Sequence, residues 1–396
     1  MITKIGLLTV SLTMAVCTSA PTKRSTAELD NILRTSVEQK AVPGVVAMVA
    51  TAQGVVYEQA IGFAKNTIFS IASMTKPVTS VAVMQLVEAG KVKLDDPAST
   101  YVPELAKTQV LEEGKLRAPK TPVTVRQLLT HTSGFGYEFM NRELMDYVTK
   151  GKVPSVMAGG DGFLKAPLLF DPGTGWEYGI SIDWLGKLVE KMSGQSLEQY
   201  FRGNIFQPLG MEDSYFKVPP EKQPRLASVY QRKDEGSLEK QPRPPIKPSE
   251  FLSGGGGLFS TAADYMKFTQ ALMGGGQLGG QRILKPETVA MMGENQIGEL
   301  ALRPFTSLVP QLAKDGGVLP GQLDKFGLGF ALNSKPVEKG RGANTMSWAG
   351  IFNTFFWVDR DKTVCAVLMT QMSPGLDDGP RKLLEQFDGA VYAWRQ

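Results

Sequence analysis

Apolar residues first recur at helical spacing at Leu29, Ile32, Leu33 and Val37, behind Ser25-Thr26-Ala27-Glu28, which has the form of a capping box. Pro43-Gly44 closes that segment. Two runs rich in β-branched residues follow, 45–51 and 55–61, and read as strands joined near Gln53-Gly54. Val78, Val81, Met84, Leu86 and Val87 then form a broad apolar stripe of a helix, with Pro77 in or near its first turn and Gly90 as its stop. From about 90 to 250 the pattern gives helices and long loops, with turn signals at Asp171-Pro172-Gly173 and Pro219-Pro220. Residues 232–249 are charged and rich in proline, which predicts an exposed excursion. Thr261 starts a capped helix over about 262–272. Four strands are predicted at 326–332, 344–349, 354–358 and 363–369. Leu383, Leu384, Phe387, Val391 and Trp394 mark an amphipathic closing helix. Strands at both ends around a helical middle predict an α+β fold, with one sheet built from both chain ends and a large, mostly helical insert. No internal repeat interrupts this order.

Composition narrows the class. The chain has 396 residues, 42% hydrophobic and 21% charged, with a net charge of +4 spread along it. That is ordinary for a globular protein with a large core. No basic cluster with interleaved aromatics appears, so nucleic acid is not an expected partner. Lys4 followed by the apolar run 5–16 reads as an export signal, too short to span a bilayer, with Thr18-Ser19-Ala20 as a cleavage site. A secreted or periplasmic location is expected. Cys17 after Met14-Ala15-Val16 keeps a lipid anchor open, and an uncleaved cytoplasmic chain is the remaining alternative. With the signal removed, Cys365 is the only cysteine, so cysteine usage does not decide the compartment.

The chemistry concentrates at Ser73-Met74-Thr75-Lys76, at the mouth of the apolar helix. Ser-x-x-Lys on a helix brings a hydroxyl and an ammonium onto adjacent turns of one face, a nucleophile beside a proton acceptor. The competing reading of Ser73 is a helix cap. There is one histidine, His131, in Leu128-Leu129-Thr130-His131-Thr132-Ser133-Gly134-Phe135, where a helix runs into a turn. No Gly-x-Ser-x-Gly elbow occurs, so the α/β-hydrolase arrangement is not signalled. One His and two Cys do not supply a common zinc ligand set. The run Ser253-Gly254-Gly255-Gly256-Gly257 lacks the Gly-Lys-Ser/Thr ending of a phosphate cradle and reads as tightly packed backbone.

In order and spacing, these segments resemble the serine β-lactamase and penicillin-binding-protein-like superfamily. The nearest resemblance is to the class C β-lactamase-related esterases (family VIII carboxylesterases), and the acyltransferases acting on a statin precursor are similar. The carriers are Ser73-Met74-Thr75-Lys76, Leu128 to Gly134, Asp171-Pro172-Gly173-Thr174-Gly175-Trp176-Glu177-Tyr178, Gly255 to Thr261, and Trp348-Ala349-Gly350. The resemblance runs from about residue 28 to 394. It implies a β-lactamase/transpeptidase-like fold, with Ser73 as the acylated nucleophile and Lys76 and Tyr178 sharing the base role. It also implies an oxyanion hole from the backbone N–H groups of Ser73 and Ile351. Trp348, Ala349, Gly350 and Tyr137 would line the substrate pocket, and Phe139, Trp176 and Phe352 are further aromatic candidates for it. Two departures stand out. Ile180 replaces the amide of the second motif, and Trp348 replaces the lysine of the third.

The expected organisation is a signal over 1–20 and one catalytic domain over 21–396. Within that domain an α/β lobe would use about 25–90 and 255–396, and a helical lobe about 91–254. The expected function is a serine carboxylesterase acting on short-chain or small neutral esters, with no metal or organic cofactor. Acyl transfer to an alcohol, β-lactam or D-peptide hydrolysis, and a non-catalytic binding role are the alternatives.

Overall fold

The computed structural model describes residues 25–242, 251–317 and 323–395. The apolar N-terminal run read as an export signal lies outside them, as does most of the proline-rich part of 232–249. Strands β1 (Val45–Thr51) and β2 (Gly54–Ile61) come from the start of the chain. Strands β3 (Leu323–Phe326), β4 (Ala331–Asn333), β5 (Met346–Gly350), β6 (Thr354–Asp359) and β7 (Val364–Met369) come from its end. Together they form one antiparallel seven-stranded sheet in the order β3-β4-β5-β6-β7-β1-β2. The two chain ends meet where β1 pairs with β7, from Val46 opposite Met369 to Thr51 opposite Val364.

Every residue of β1 is buried because both faces of the sheet are covered. Val45, Ala47 and Val49 join Leu29 and Leu33 of α1 (Ala27–Glu38) and Leu383, Leu384, Phe387 and Val391 of the closing helix, residues Asp378–Arg395. Val46, Met48 and Ala50 face the opposite core, with Tyr265, Met266 and Phe268 of the helix Ala262–Met273. The period of two along β1 thus divides one apolar run between two layers.

The Ser73 region differs in detail from its sequence reading. A 3-10 turn, Ala72–Met74, runs directly into α2 (Thr75–Glu88). The helix is buried on all sides from Thr75 to Met84, rather than along one stripe. Its hydroxyls are therefore satisfied internally: Thr79 donates to Gly254 O at 2.7 Å and Ser80 to Lys76 O at 2.9 Å. At its far end Gly90 N–H reaches Val87 O and Lys91 N–H reaches Leu86 O, so the helix stops where Gly90 predicted. The capping box at the start of α1 does not form. Thr26 holds the cap position without a side-chain cap bond, and its hydroxyl donates instead to Asp30, which also takes the Tyr57 and Gln59 side chains of β2. The single strand expected at 326–332 is two strands, β3 and β4, because the chain reverses through Gly327-Leu328-Gly329, with Gly329 at φ +94°. The excursion after Tyr230 begins as a short hairpin, Tyr230–Arg232 with Leu238–Lys240. No helix among the described residues is long and apolar enough to cross a membrane.

Candidate active site

The 3-10 turn and the first turn of α2 bring Ser73 and Lys76 onto one face, and Lys76 Nζ donates to Ser73 Oγ at 3.2 Å. Tyr178, just before α3 (Ser181–Ser193), donates its hydroxyl to the same Oγ at 2.6 Å. Ser73 makes no side-chain cap bond to the helix; its oxygen is engaged by these two side chains, which sets the helix-cap reading aside. Ala72, immediately before it, has φ +42°, a conformation that costs a non-glycine residue energy and is held here by its surroundings.

Lys76 is 1% exposed. Besides Ser73, Nζ donates to Tyr137 OH at 3.0 Å and to Gly255 O at 2.7 Å. It also lies 4.7 Å from the centre of the Tyr178 ring. Nζ thus has three oxygen partners around it, from Ser73, Tyr137 and Gly255. Burial, reinforced by Tyr178, Asp183 and Glu138, pushes the Tyr137 phenol well above its usual range, so it stays neutral beside Lys76. Burial also raises the Asp183 carboxyl, against the opposing pull of Lys76 and of its own hydrogen bonds.

Ser73 opens onto a cavity of about 260 Å³. Its walls are largely apolar, with Met140, Val156, Phe305, Leu312, Trp348 and Phe352 among them. Among the described residues no lysine, arginine or histidine lines it; Asp183 is the one carboxyl that does. The four residues expected in the pocket, Tyr137, Trp348, Ala349 and Gly350, all line it, as do Ile351 and Phe139. Gly350 lets β5 pass close to the segment before Ser73: a Cβ there would lie 2.3 Å from Ile71 O. Trp176 does not line the cavity. It packs behind it, against Phe305 and Phe326. Ile180 is also elsewhere, beside a small separate void with Glu138 and Leu144.

His131 sits at φ +58° in the turn after a short helix, Val125–Leu129. Its ring packs edge-on against Tyr178 at 5.0 Å and against Phe326 at 5.4 Å, and among the described residues Nδ1 has no hydrogen-bond partner. Burial, and then the Lys76 charge, hold its pKa well below the usual histidine value. It is a neutral imidazole packed against the Tyr178 ring, and the Ser73 oxygen meets Lys76 and Tyr178 instead.

Sequence reasoning missed the part played by Asp183, Ser253 and the Gly255 carbonyl. The available signals were an acid between Ile182 and Trp184 in the first turn of α3 and the run of glycines from Gly254. It also missed Phe305, which comes from a stretch with little regular pattern.

The arrangement can be compared with known proteins. The family model "Beta-lactamase" matches residues 29–390. The chain belongs to the beta-lactamase family. It is thereby an enzyme of the beta-lactamase-fold serine hydrolases and acyltransferases. It is 30% identical over 400 residues to the monacolin J acid methylbutanoyltransferase of Aspergillus terreus, covering 93% of this chain and 96% of that one. It is 29% identical over 381 residues to the lovastatin esterase of Penicillium rubens, covering 86% and 91%. Among solved structures, the unliganded simvastatin synthase of Aspergillus terreus superposes with a TM-score of 0.82 at 30% identity, over 94% of this chain and 98% of that one. The chain is thus similar, over most of its length, to a transferase and to an esterase.

Proposed function

We propose that this enzyme is a serine carboxylesterase of small, neutral, apolar esters, working through an acyl-enzyme on Ser73. The observation that carries the reading is the contact of one serine oxygen with both Lys76 Nζ and Tyr178 OH at the floor of an apolar cavity. Ser73 Oγ attacks the ester carbonyl as its proton passes to the neutral amine form of Lys76, directly or relayed through the Tyr178 hydroxyl, which leaves Lys76 as the ammonium. The developing oxyanion is held by the backbone N–H groups of Ser73 and Ile351, both at the cavity wall. The pair returns the proton to the departing alcohol, and water then attacks the acyl-enzyme by the reverse sequence. An anionic substrate is disfavoured because, among the described residues, no lysine or arginine lines the cavity walls away from the Ser73–Lys76 pair. A carboxylate without its charged hydrogen bond forgoes about 1.5–3 kcal/mol. That argues against β-lactam hydrolysis as the main activity.

Acyl transfer is the second reading. It is favoured by the transferases among the relatives and by cavity walls apolar enough to hold an alcohol in competition with water. The test is a series of p-nitrophenyl esters of increasing chain length beside a chromogenic cephalosporin, each with and without an added alcohol. Esterase action gives free acid at an unchanged yield when alcohol is added. A new ester as the main product establishes the transferase instead, and a preference for the cephalosporin overturns both readings.

A further inference from the structure

Lys76 is held in register with Ser73 by groups that are not themselves part of the proposed reaction. Of its acceptors, Gly255 O is the nearest, at 2.7 Å. That carbonyl belongs to a loop remote in sequence, so something must fix the loop. The structure supplies the fixture from α3. Asp183 is 1% exposed. Its Oδ1 accepts the Gly255 N–H at 3.0 Å and the Ser253 hydroxyl at 2.6 Å. From the other side, Thr79 of α2 donates to Gly254 O at 2.7 Å. The two-glycine stretch is thereby clamped between α2 and α3. The clamp also explains the glycines: a Cβ on Gly255 would lie 2.3 Å from Asp183 Oδ2, and one on Gly254 would lie 3.0 Å from Ile182 O. Burying a carboxyl group is costly, and the Lys76 charge and the carboxyl's own hydrogen bonds offset that cost only in part. What the carboxyl oxygen does at this place is orient one backbone segment.

We propose that Asp183 is a positioning residue, which pins Gly255 so that its carbonyl holds Lys76 Nζ within reach of Ser73. This rests on the acyl-enzyme reading, since it matters only if Lys76 serves Ser73. Without Asp183 the Gly255 carbonyl is free to drift and Lys76 loses its alignment, while the apolar walls that bind the ester remain. The loss therefore falls on kcat rather than on KM. Asparagine presents the same Oδ1 acceptor to Gly255 N–H and Ser253, so it restores the anchor without the acid.

The experiment uses the full chain with p-nitrophenyl butyrate and compares wild type, Ser73→Ala, Asp183→Ala, Asp183→Asn and Gly255→Ala. Asp183→Ala is expected to lower kcat about 100-fold, the scale of an ångström-sized misplacement, with KM within about threefold. Asp183→Asn is expected to stay within about fivefold of wild type in kcat. Gly255→Ala, which attacks the same contact from the loop side, should reproduce the kcat-weighted loss. It keeps the test alive if Asp183→Ala does not fold. A folded Asp183→Ala or Gly255→Ala at wild-type kcat overturns the proposal. So does an asparagine variant as impaired as the alanine one, or a loss confined to KM. Wild-type turnover that survives Ser73→Ala would sink the acyl-enzyme reading itself. Turnover lost in Ser73→Ala but intact in Asp183→Ala sinks only the role of Asp183.

Discussion

Replacing Tyr178 by phenylalanine removes one oxygen and leaves the packing of the ring in place. That ring is enclosed by Tyr137 at 5.2 Å, His131 at 5.0 Å, Trp348 at 5.1 Å and Phe305 at 5.3 Å, all contacts that phenylalanine retains. The stability cost is that of one hydrogen bond, about 1 kcal/mol. The bond lost is the 2.6 Å contact to Ser73 Oγ, and with it half of the pair that moves the proton. General acid–base catalysis is worth about 10²–10⁴-fold, or about 2.7–5.5 kcal/mol of barrier. The activation loss should therefore exceed the stability loss by a few kcal/mol. The assay is pre-steady-state acylation by p-nitrophenyl butyrate, with thermal unfolding in parallel. Expected are a Tm near that of wild type, a KM changed by less than about threefold, and an acylation rate down by at least about 100-fold. A folded Tyr178→Phe enzyme acylating within tenfold of wild type would show that Lys76 works alone. An equal loss from Tyr178→Phe and from the Lys76→Ala, Tyr178→Phe double variant would support a single proton-transfer unit.

Other outcomes follow from the same structure. His131→Asn, compatible with the left-handed backbone at that position, should keep activity within about tenfold if it folds, because the imidazole does not reach Ser73; a loss of about 10³ or more in a folded variant would revive a histidine triad. Trp348 is 1% exposed and packs on Tyr178 and Phe326, so Trp348→Lys should destabilise the fold by about 3–5 kcal/mol. It should also raise the cephalosporin-to-ester ratio of kcat/KM; an unchanged ratio refutes the argument from the missing cation. Burial pushes Glu177 up to about 7, with the Arg303 charge opposing. A carboxyl with a raised folded-state pKa is harmless below its unfolded value and costs stability as pH rises from about 4.5 to about 7. Urea unfolding should therefore show Glu177→Gln gaining about 1–3 kcal/mol on wild type between pH 4.5 and 8, and an equal difference at both pH values would contradict this.

The sheet was legible because its strands are short apolar runs with clear turns between them, and because those runs sit at both ends of the chain. The 45–51 run names its strand to the residue. Where local chemistry carried a second message, legibility failed: the glycines at 327 and 329 cut one expected strand into two, and the box expected from Ser25 to Glu28 gave way to a cap at Thr26, whose hydroxyl goes to Asp30. Ser73 and Lys76 were visible because their contact is local, a spacing of three on a helix. Tyr178 came from a motif, since nothing local says that its hydroxyl meets an oxygen 105 positions earlier. The Lys76–Gly255 bond spans 179 positions and ends on a backbone carbonyl, so no side-chain pattern announces it. Tyr137 read as a pocket aromatic, and its hydroxyl proved to be a Lys76 partner. Ile180, which stands where the second motif carries an amide, borders a different void.

The central claim is that Ser73 carries the acyl group. The direct measurement is to label the enzyme with a slow p-nitrophenyl phosphonate, digest it, and locate the adduct by mass spectrometry. The adduct should fall on the peptide containing Ser73, with stoichiometric loss of esterase activity, and Ser73→Ala should neither label nor turn over ester. A stoichiometric adduct on another residue, or full turnover by a folded Ser73→Ala enzyme, would contradict the account.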